Sequence, residues 1–155
     1  MSQYSTTYVV IADASELQLV KRHPELQRYP VIITGPGPLN VMQALQPLDR
    51  KSNIINLGYA RSLIYPVGTE VKIRTCGTRH DRANFAEPVG WMDNPGDAVC
   101  LSSTDFVEKA PKSAPTNAVF DMELAFIEAL GFKTIMAYKT ISDKLDYDEY
   151  KTGIK

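Results

Sequence analysis

Short apolar runs, punctuated by glycine, proline and acidic residues, recur along the whole chain. Tyr8–Ala12, Val31–Thr34, Ser52–Leu57, Val67–Ile73, Asp97–Ser102 and Phe132–Ile141 each read as a strand, and the first two and the last read as buried. Between them lie segments with helical spacing. Ala14 to Arg22 starts a helix with Ser15 as its cap and Glu16 in its first turn, and His23-Pro24 shortens or kinks it. Pro38 suits the first turn of a second helix, which continues through Asn40, Val41, Ala44 and Leu45. From Ala118 to Leu130 the residues Val119, Met122, Phe126, Ala129 and Leu130 recur at helical spacing, with Glu123 among them. Asp121 and Glu128 fall on the opposite face, toward water. Gly131, free to take a positive φ, stops that helix. Strands alternating with helices and glycine-rich turns predict an α/β domain whose central sheet is mixed, largely parallel and flanked by helices.

Length and charge narrow the class. A chain of 155 residues suits one domain with a single core. Its 17 basic and 18 acidic residues are mixed along the chain, so nothing points to nucleic acid as a partner. No apolar run approaches membrane-spanning length and no signal peptide is seen, which argues for a cytoplasmic protein with no membrane partner. Cys76 and Cys100 lie in strand-like segments without metal-ligand spacing and read as buried thiols in a reducing cytosol. His23 and His80 belong to no zinc signature, and no metal or cofactor is expected.

Two acids stand where folding alone would not place them. Glu123 lies on the apolar side of a helix, and Asp143 sits where the last strand runs out. Both positions are costly to fill with a carboxylate, although a glutamate can serve as a boundary residue and an aspartate as a turn cap. Val31–Thr34, then Gly35-Pro-Gly-Pro38, then a helix start form a recurrent anion-binding geometry. Gly and Pro also make plain turns, so that motif alone is weak.

Taken in order, these segments resemble the nucleoside phosphorylase/nucleosidase superfamily, and most closely the methylthioadenosine/S-adenosylhomocysteine nucleosidases. Asp121-Met-Glu-Leu-Ala125 ahead of Ile141-Ser-Asp-Lys-Leu-Asp146 is similar to the family's V-E-M-E-x-x-A helix and its I-S-D-x-A-D strand end. Thr34-Gly-Pro-Gly-Pro-Leu-Asn40 is similar to T-G-x-G-x-x-N/A. Ile54-Ile-Asn-Leu-Gly-Tyr-Ala60 follows I-I-N-x-G-x-A, after which Arg61 and Ser62 replace two glycines. Arg79-His80-Asp81 resembles the family's Y-H-D, and Ser103-Thr-Asp-Phe-Val107 its S-G-D-x-F. The resemblance implies one nucleosidase-like domain over residues 1–155, shortened by a mid-chain helix and by most of a C-terminal helix.

The same resemblance implies a chemistry. It is hydrolysis, or phosphorolysis, of the N-glycosidic bond of a purine nucleoside or thionucleoside such as methylthioadenosine or S-adenosylhomocysteine. Met122 and Glu123 would hold the ribose hydroxyls, and Asp143 would protonate the purine. Phe106, Val107 and Ser142 would surround the base, and Gly35, Gly37, Gly58 and Arg61 would line the water or phosphate pocket. Glu16 would assist the nucleophile, with Asp13 as the competing choice. Family members imply a homodimer or larger assembly. The alternative is a protein of the same fold that has lost turnover and binds nucleosides or serves assembly, which Arg61-Ser62 and the missing helices motivate.

Overall fold

The computed structural model describes residues 6–78, 90–103 and 115–144, of which residues 90, 91, 143 and 144 are described by their backbone alone. The Arg79-His80-Asp81 segment, Phe106, Val107 and everything after Lys144 lie outside the described residues. The strands are β1 (Thr7–Ile11), β2 (Val31–Ile33), β3 (Asn53–Ser62), β4 (Glu70–Thr78), β5 (Gly90–Trp91), β6 (Ala98–Ser102), β7 (Ala118–Asp121) and β8 (Thr134–Lys144). The helices are α1 (Leu17–Lys21), α2 (Pro38–Leu45) and α3 (Leu124–Glu128), with short 3-10 turns at Ala14–Glu16 and Pro24–Leu26.

All eight strands belong to one sheet. Its pairs β1/β2, β1/β3, β3/β8, β4/β6 and β6/β7 are parallel, whereas β3/β7, β4/β5 and β4/β8 are antiparallel. The sheet is therefore mixed and largely parallel, as the alternating pattern predicts. Helices cover both faces. On one, Val41 and Leu45 of α2 and Leu124, Ala125 and Ile127 of α3 pack over Val10, Ile54, Ala60, Ile135, Ala137 and Ile141. On the other, Val20 of α1 and Leu26 pack over Val9, Ile11, Ile55 and Leu57, with Tyr29, Met136 and Tyr138 at the margin. Val41 and Leu45 stand four residues apart on one side of α2 and are both fully buried, which stabilises the fold by roughly 1.5–3 kcal/mol each.

Several local expectations are revised. The Ala118–Leu130 segment is not one helix: Ala118–Asp121 is a strand, and the helix is confined to Leu124–Glu128. Ala118-Val-Phe120 meets the helical spacing, but it is also an apolar run, and pairing with Val99–Leu101 buries all of it. Asp121, placed in water by the helical reading, is buried. The cap of the first helical turn is Asp13, whose Oδ1 accepts the Ser15 N–H, and not Ser15. β2 is an edge strand with Val31 and Ile33 partly exposed, not a buried one. β3 does not stop at Gly58 but runs through it to Ser62. Gly131 takes φ +81° three residues beyond the end of α3, in keeping with a stop in this stretch.

Candidate active site

The carboxyl end of β1 is closed by Glu16. Its Oε1 accepts the Ala12 N–H at 2.7 Å and the Asp13 N–H at 3.4 Å, and its Oε2 accepts the Tyr59 N–H at 2.9 Å. The Asp13 cap forces the tight turn that folds Glu16 back over the strand, so the two N-terminal acids divide their labour. Glu16 is buried and Asp13 is exposed.

Gly58 lies in β3 directly beneath this carboxylate. A Cβ at position 58 would stand 3.1 Å from Glu16 Oε2 and 3.1 Å from Lys139 Nζ. Glycine therefore keeps open a small space with an acid on one side and an ammonium on the other. Lys139 comes from β8, where it opposes Gly58 in register and alternates with Ala137 and Ile141 on the apolar face.

Lys139 is fully buried, and its Nζ lies 2.8 Å from Asp121 Oδ2. The two groups form a buried ion pair that engages one of the three Nζ protons. Asp121 is held from other sides as well: Ser102 Oγ donates to its Oδ1 at 2.5 Å, and the Leu124 N–H donates to its Oδ2 at 3.0 Å. Burial alone would raise the Asp121 pKa, but the Lys139 charge and these hydrogen bonds win and hold it below its ordinary value. Burial works against the Lys139 charge too, and Asp121 reverses that and raises its pKa.

Glu123 stands at the N-terminus of α3, 8% exposed, where its Oε2 accepts the Gly37 N–H at 3.4 Å. That contact joins α3 to the glycine-rich turn, in which Gly35 and Gly37 both take positive φ. Burial and the Asp121 charge raise the Glu123 pKa to about 7; Lys139 pulls it down, Glu16 pushes it up, and the Gly37 N–H lowers it. Glu16, Glu123, Asp121 and Lys139 thus form one buried charged cluster over Gly58, at the mouth of β1 and beside the turn after β2.

Of the residues singled out by sequence, the structure brings Glu16, Gly37, Gly58 and Glu123 together. Gly35 shapes the same turn, where a Cβ would press to 2.9 Å from Asn40 Cγ. Met122 is half-buried between Asp121 and Glu123. Arg61 lies half-buried farther along β3, beside a register shift that puts Asp143 opposite Arg61. Ser142 is exposed, and its hydroxyl donates to the Ala60 carbonyl at 3.4 Å. Sequence reasoning missed Lys139, Asp121 and Ser102. The available signal was a lysine inside an otherwise apolar strand, at the same parity as Ile135, Ala137 and Ile141.

Among the described residues no group of three or more His, Cys, Asp or Glu side chains is arranged to hold a metal ion, and no helix is long and apolar enough to cross a membrane. Cys76 and Cys100, register partners in β4 and β6, are free, fully buried thiols. Burial pushes Cys76 up to about 12 and raises Cys100 well above its ordinary value.

No protein-family model and no curated protein sequence matches this chain. Its fold is nonetheless shared with solved nucleosidases and a futalosine hydrolase. The MTAN of Chlamydia trachomatis superposes with a TM-score of 0.68 at 18% identity, over 96% of this chain and 87% of that one. The 5′-methylthioadenosine/S-adenosylhomocysteine nucleosidase of Neisseria meningitidis, solved with methylthio-immucillin-A, gives 0.69 at 17% identity, over 94% and 89%. Futalosine hydrolase of Helicobacter pylori gives 0.63 at 12% identity, over 96% and 90%.

Proposed function

We propose that this protein hydrolyses the N-glycosidic bond of a purine nucleoside or thionucleoside, with methylthioadenosine and S-adenosylhomocysteine as the leading substrate class. The observation that carries the reading is the opposition of Glu16 Oε2 and Lys139 Nζ across Gly58. Such cleavage passes through an oxocarbenium-like state, which an anionic cluster stabilises and a neutral nucleophile can attack. In this reading Glu16 takes a proton from water as its oxygen bonds to C1′. The C1′–N bond breaks, and its electron pair leaves with the base. Asp143, at the end of β8, donates a proton to the departing purine. Glu123 accepts hydrogen bonds from the ribose hydroxyls beside Met122, and Phe106, Val107 and Ser142 surround the base.

Water suits this site better than phosphate does. The backbone donors that would cradle an anion are already taken by carboxylates: Ala12, Asp13 and Tyr59 donate to Glu16, and Gly37 donates to Glu123. Among the described residues the one buried ammonium, that of Lys139, is paired with Asp121. A phosphate dianion would enter among the carboxylates of Glu16, Asp121 and Glu123, whose nearby ammonium is already in an ion pair, a cost that a water molecule avoids. Arg61 is then a residue of the pocket margin.

The test is release of free base from methylthioadenosine, S-adenosylhomocysteine, adenosine and inosine, followed by chromatography. Release from at least one is expected. No release from any of them, by protein with a cooperative unfolding transition, contradicts the proposal, and binding without release assigns the protein to ligand capture instead.

A further inference from the structure

Asp121 makes no contact with the space over Gly58, yet more of the site's architecture converges on it than on any residue that does. Its carboxylate ties together three elements: β6 through Ser102 Oγ, α3 through the Leu124 N–H, and β8 through Lys139 Nζ. Ser102 is itself fixed, since its Oγ accepts the Ala125 N–H at 3.0 Å. A lysine is a point charge on a flexible stem, with no planar fork to orient it. In the apolar layer of Ile135, Ala137 and Ile141, Asp121 is the ion-pair partner of the Lys139 ammonium and contributes most to keeping it charged, with Glu123 adding a smaller share.

We propose that Asp121, anchored by Ser102, is the positioning residue of this site: it sets the Lys139 ammonium beside Gly58 and places its own charge at the start of α3, two residues before Glu123. The effect on turnover rests on the glycosidase reading; the effect on Glu123 does not. The groups that bear on Glu123 are Asp121 from β7, Lys139 from β8, Glu16 from the first 3-10 turn and the Gly37 N–H from the glycine-rich turn. The thiols nearest Asp121, those of Cys100 and Cys76, stay neutral through burial and contribute no compensating charge. An ammonium carries three protons and Asp121 engages one, so the others serve an oxygen bound over Gly58.

Asp121→Asn removes the charge and keeps a single acceptor oxygen, which can serve Ser102 or Leu124 but not both. Carbon-detected NMR titration of the glutamate carboxyls is the primary readout. The Glu123 midpoint, about 7 in the parent protein, moves to lower pH in the variant, because a repulsive charge is lost and the Lys139 charge is left uncompensated. Turnover falls by roughly 10²-fold through misplacement of the ammonium. On a Lys139→Met background the same Asn change adds almost nothing, as coupled residues require, and the paired apolar background also relieves the stranded charge should Asp121→Asn alone fail to fold. Ser102→Ala keeps both charges and loosens the tether, so kcat drops while the Glu123 midpoint holds. An unmoved Glu123 midpoint in Asp121→Asn overturns the proposal, as do Asp121 and Lys139 effects that simply multiply. If the parent protein releases no base from any nucleoside, the glycosidase reading falls, and the Glu123 titration still decides the electrostatic claim.

Discussion

A methyl group at position 58 would meet Glu16 Oε2 and Lys139 Nζ at 3.1 Å each, tighter than nearly all ordinary Cβ contacts. Both atoms end side chains that the surroundings hold in place, so neither yields freely. Gly58→Ala therefore produces a folded protein with turnover reduced about 10²-fold, the scale for small misplacements of reacting groups; near-parent kcat beside an unchanged melting temperature would contradict this. Glu123 carries a second residue-scale consequence. Its pKa rises from 4.5 to about 7 on folding, so the native state binds its proton more tightly than the unfolded chain does. The sign follows: that contribution is intact below the unfolded value and is lost as pH rises from there through the folded value. Glu123→Gln removes the loss, so the variant gains stability relative to the parent across that interval while losing activity; urea midpoints measured on both sides of it check the gain. Glu123 was legible in the sequence as an acid in an awkward place, and Glu16 only through the family resemblance, with Asp13 as the competing choice. Lys139 and Asp121 were not, because their pairing depends on which strands lie side by side, and no local spacing encodes that.

Among the elements, β7 shows how spacing alone misleads. Val119 and Met122 fit a helical wheel as well as they fit a strand, and only the parallel partner at Val99–Leu101 decides between them. The apolar runs of β1, β3 and β8 were legible because strands covered on both faces leave no polar alternation. The exposure of β2 was not, because an edge position is a property of strand order. His23 supplies a prediction at this scale. It ties the Pro24–Leu26 turn to β4 through Glu70, with Nε2–Oε2 at 2.8 Å, and its ring lies 5.5 Å from that of Tyr138. Burial lowers its pKa, but hydrogen bonds and charge from Glu70 and Glu25 more than offset this and raise it. The stability from this latch is therefore full below the unfolded histidine value of about 6.5 and fades as pH rises through the folded one. The destabilisation caused by His23→Gln, read as the shift in urea midpoint, should be larger at acid than at alkaline pH. A pH-independent difference would remove the latch.

The molecule as a whole separates support from chemistry by sheet face. α1, the Pro24–Leu26 turn and Tyr138 pack one side, while α2, α3 and the charged cluster occupy the other. Neighbouring residues of β3 and β8 serve both sides, as Leu57 does beside Gly58 and Tyr138 beside Lys139. The cluster gathers at the carboxyl end of β1 and the turn after β2, where open α/β sheets bind ligands. Its cost to folding is evident in three buried carboxylates sharing one ammonium, an arrangement that a stability-driven core would replace with apolar groups. The account's central claim is that Glu16 activates water in this chamber. The most direct measurement is base release in phosphate-free buffer by the parent protein and by Glu16→Gln, with nucleoside affinity followed by calorimetry. The account predicts release without phosphate by the parent, a fall of ~10²–10⁴-fold in kcat for the variant, and little change in affinity. Release that requires phosphate, or a Glu16→Gln variant that turns over as fast as the parent, would contradict it.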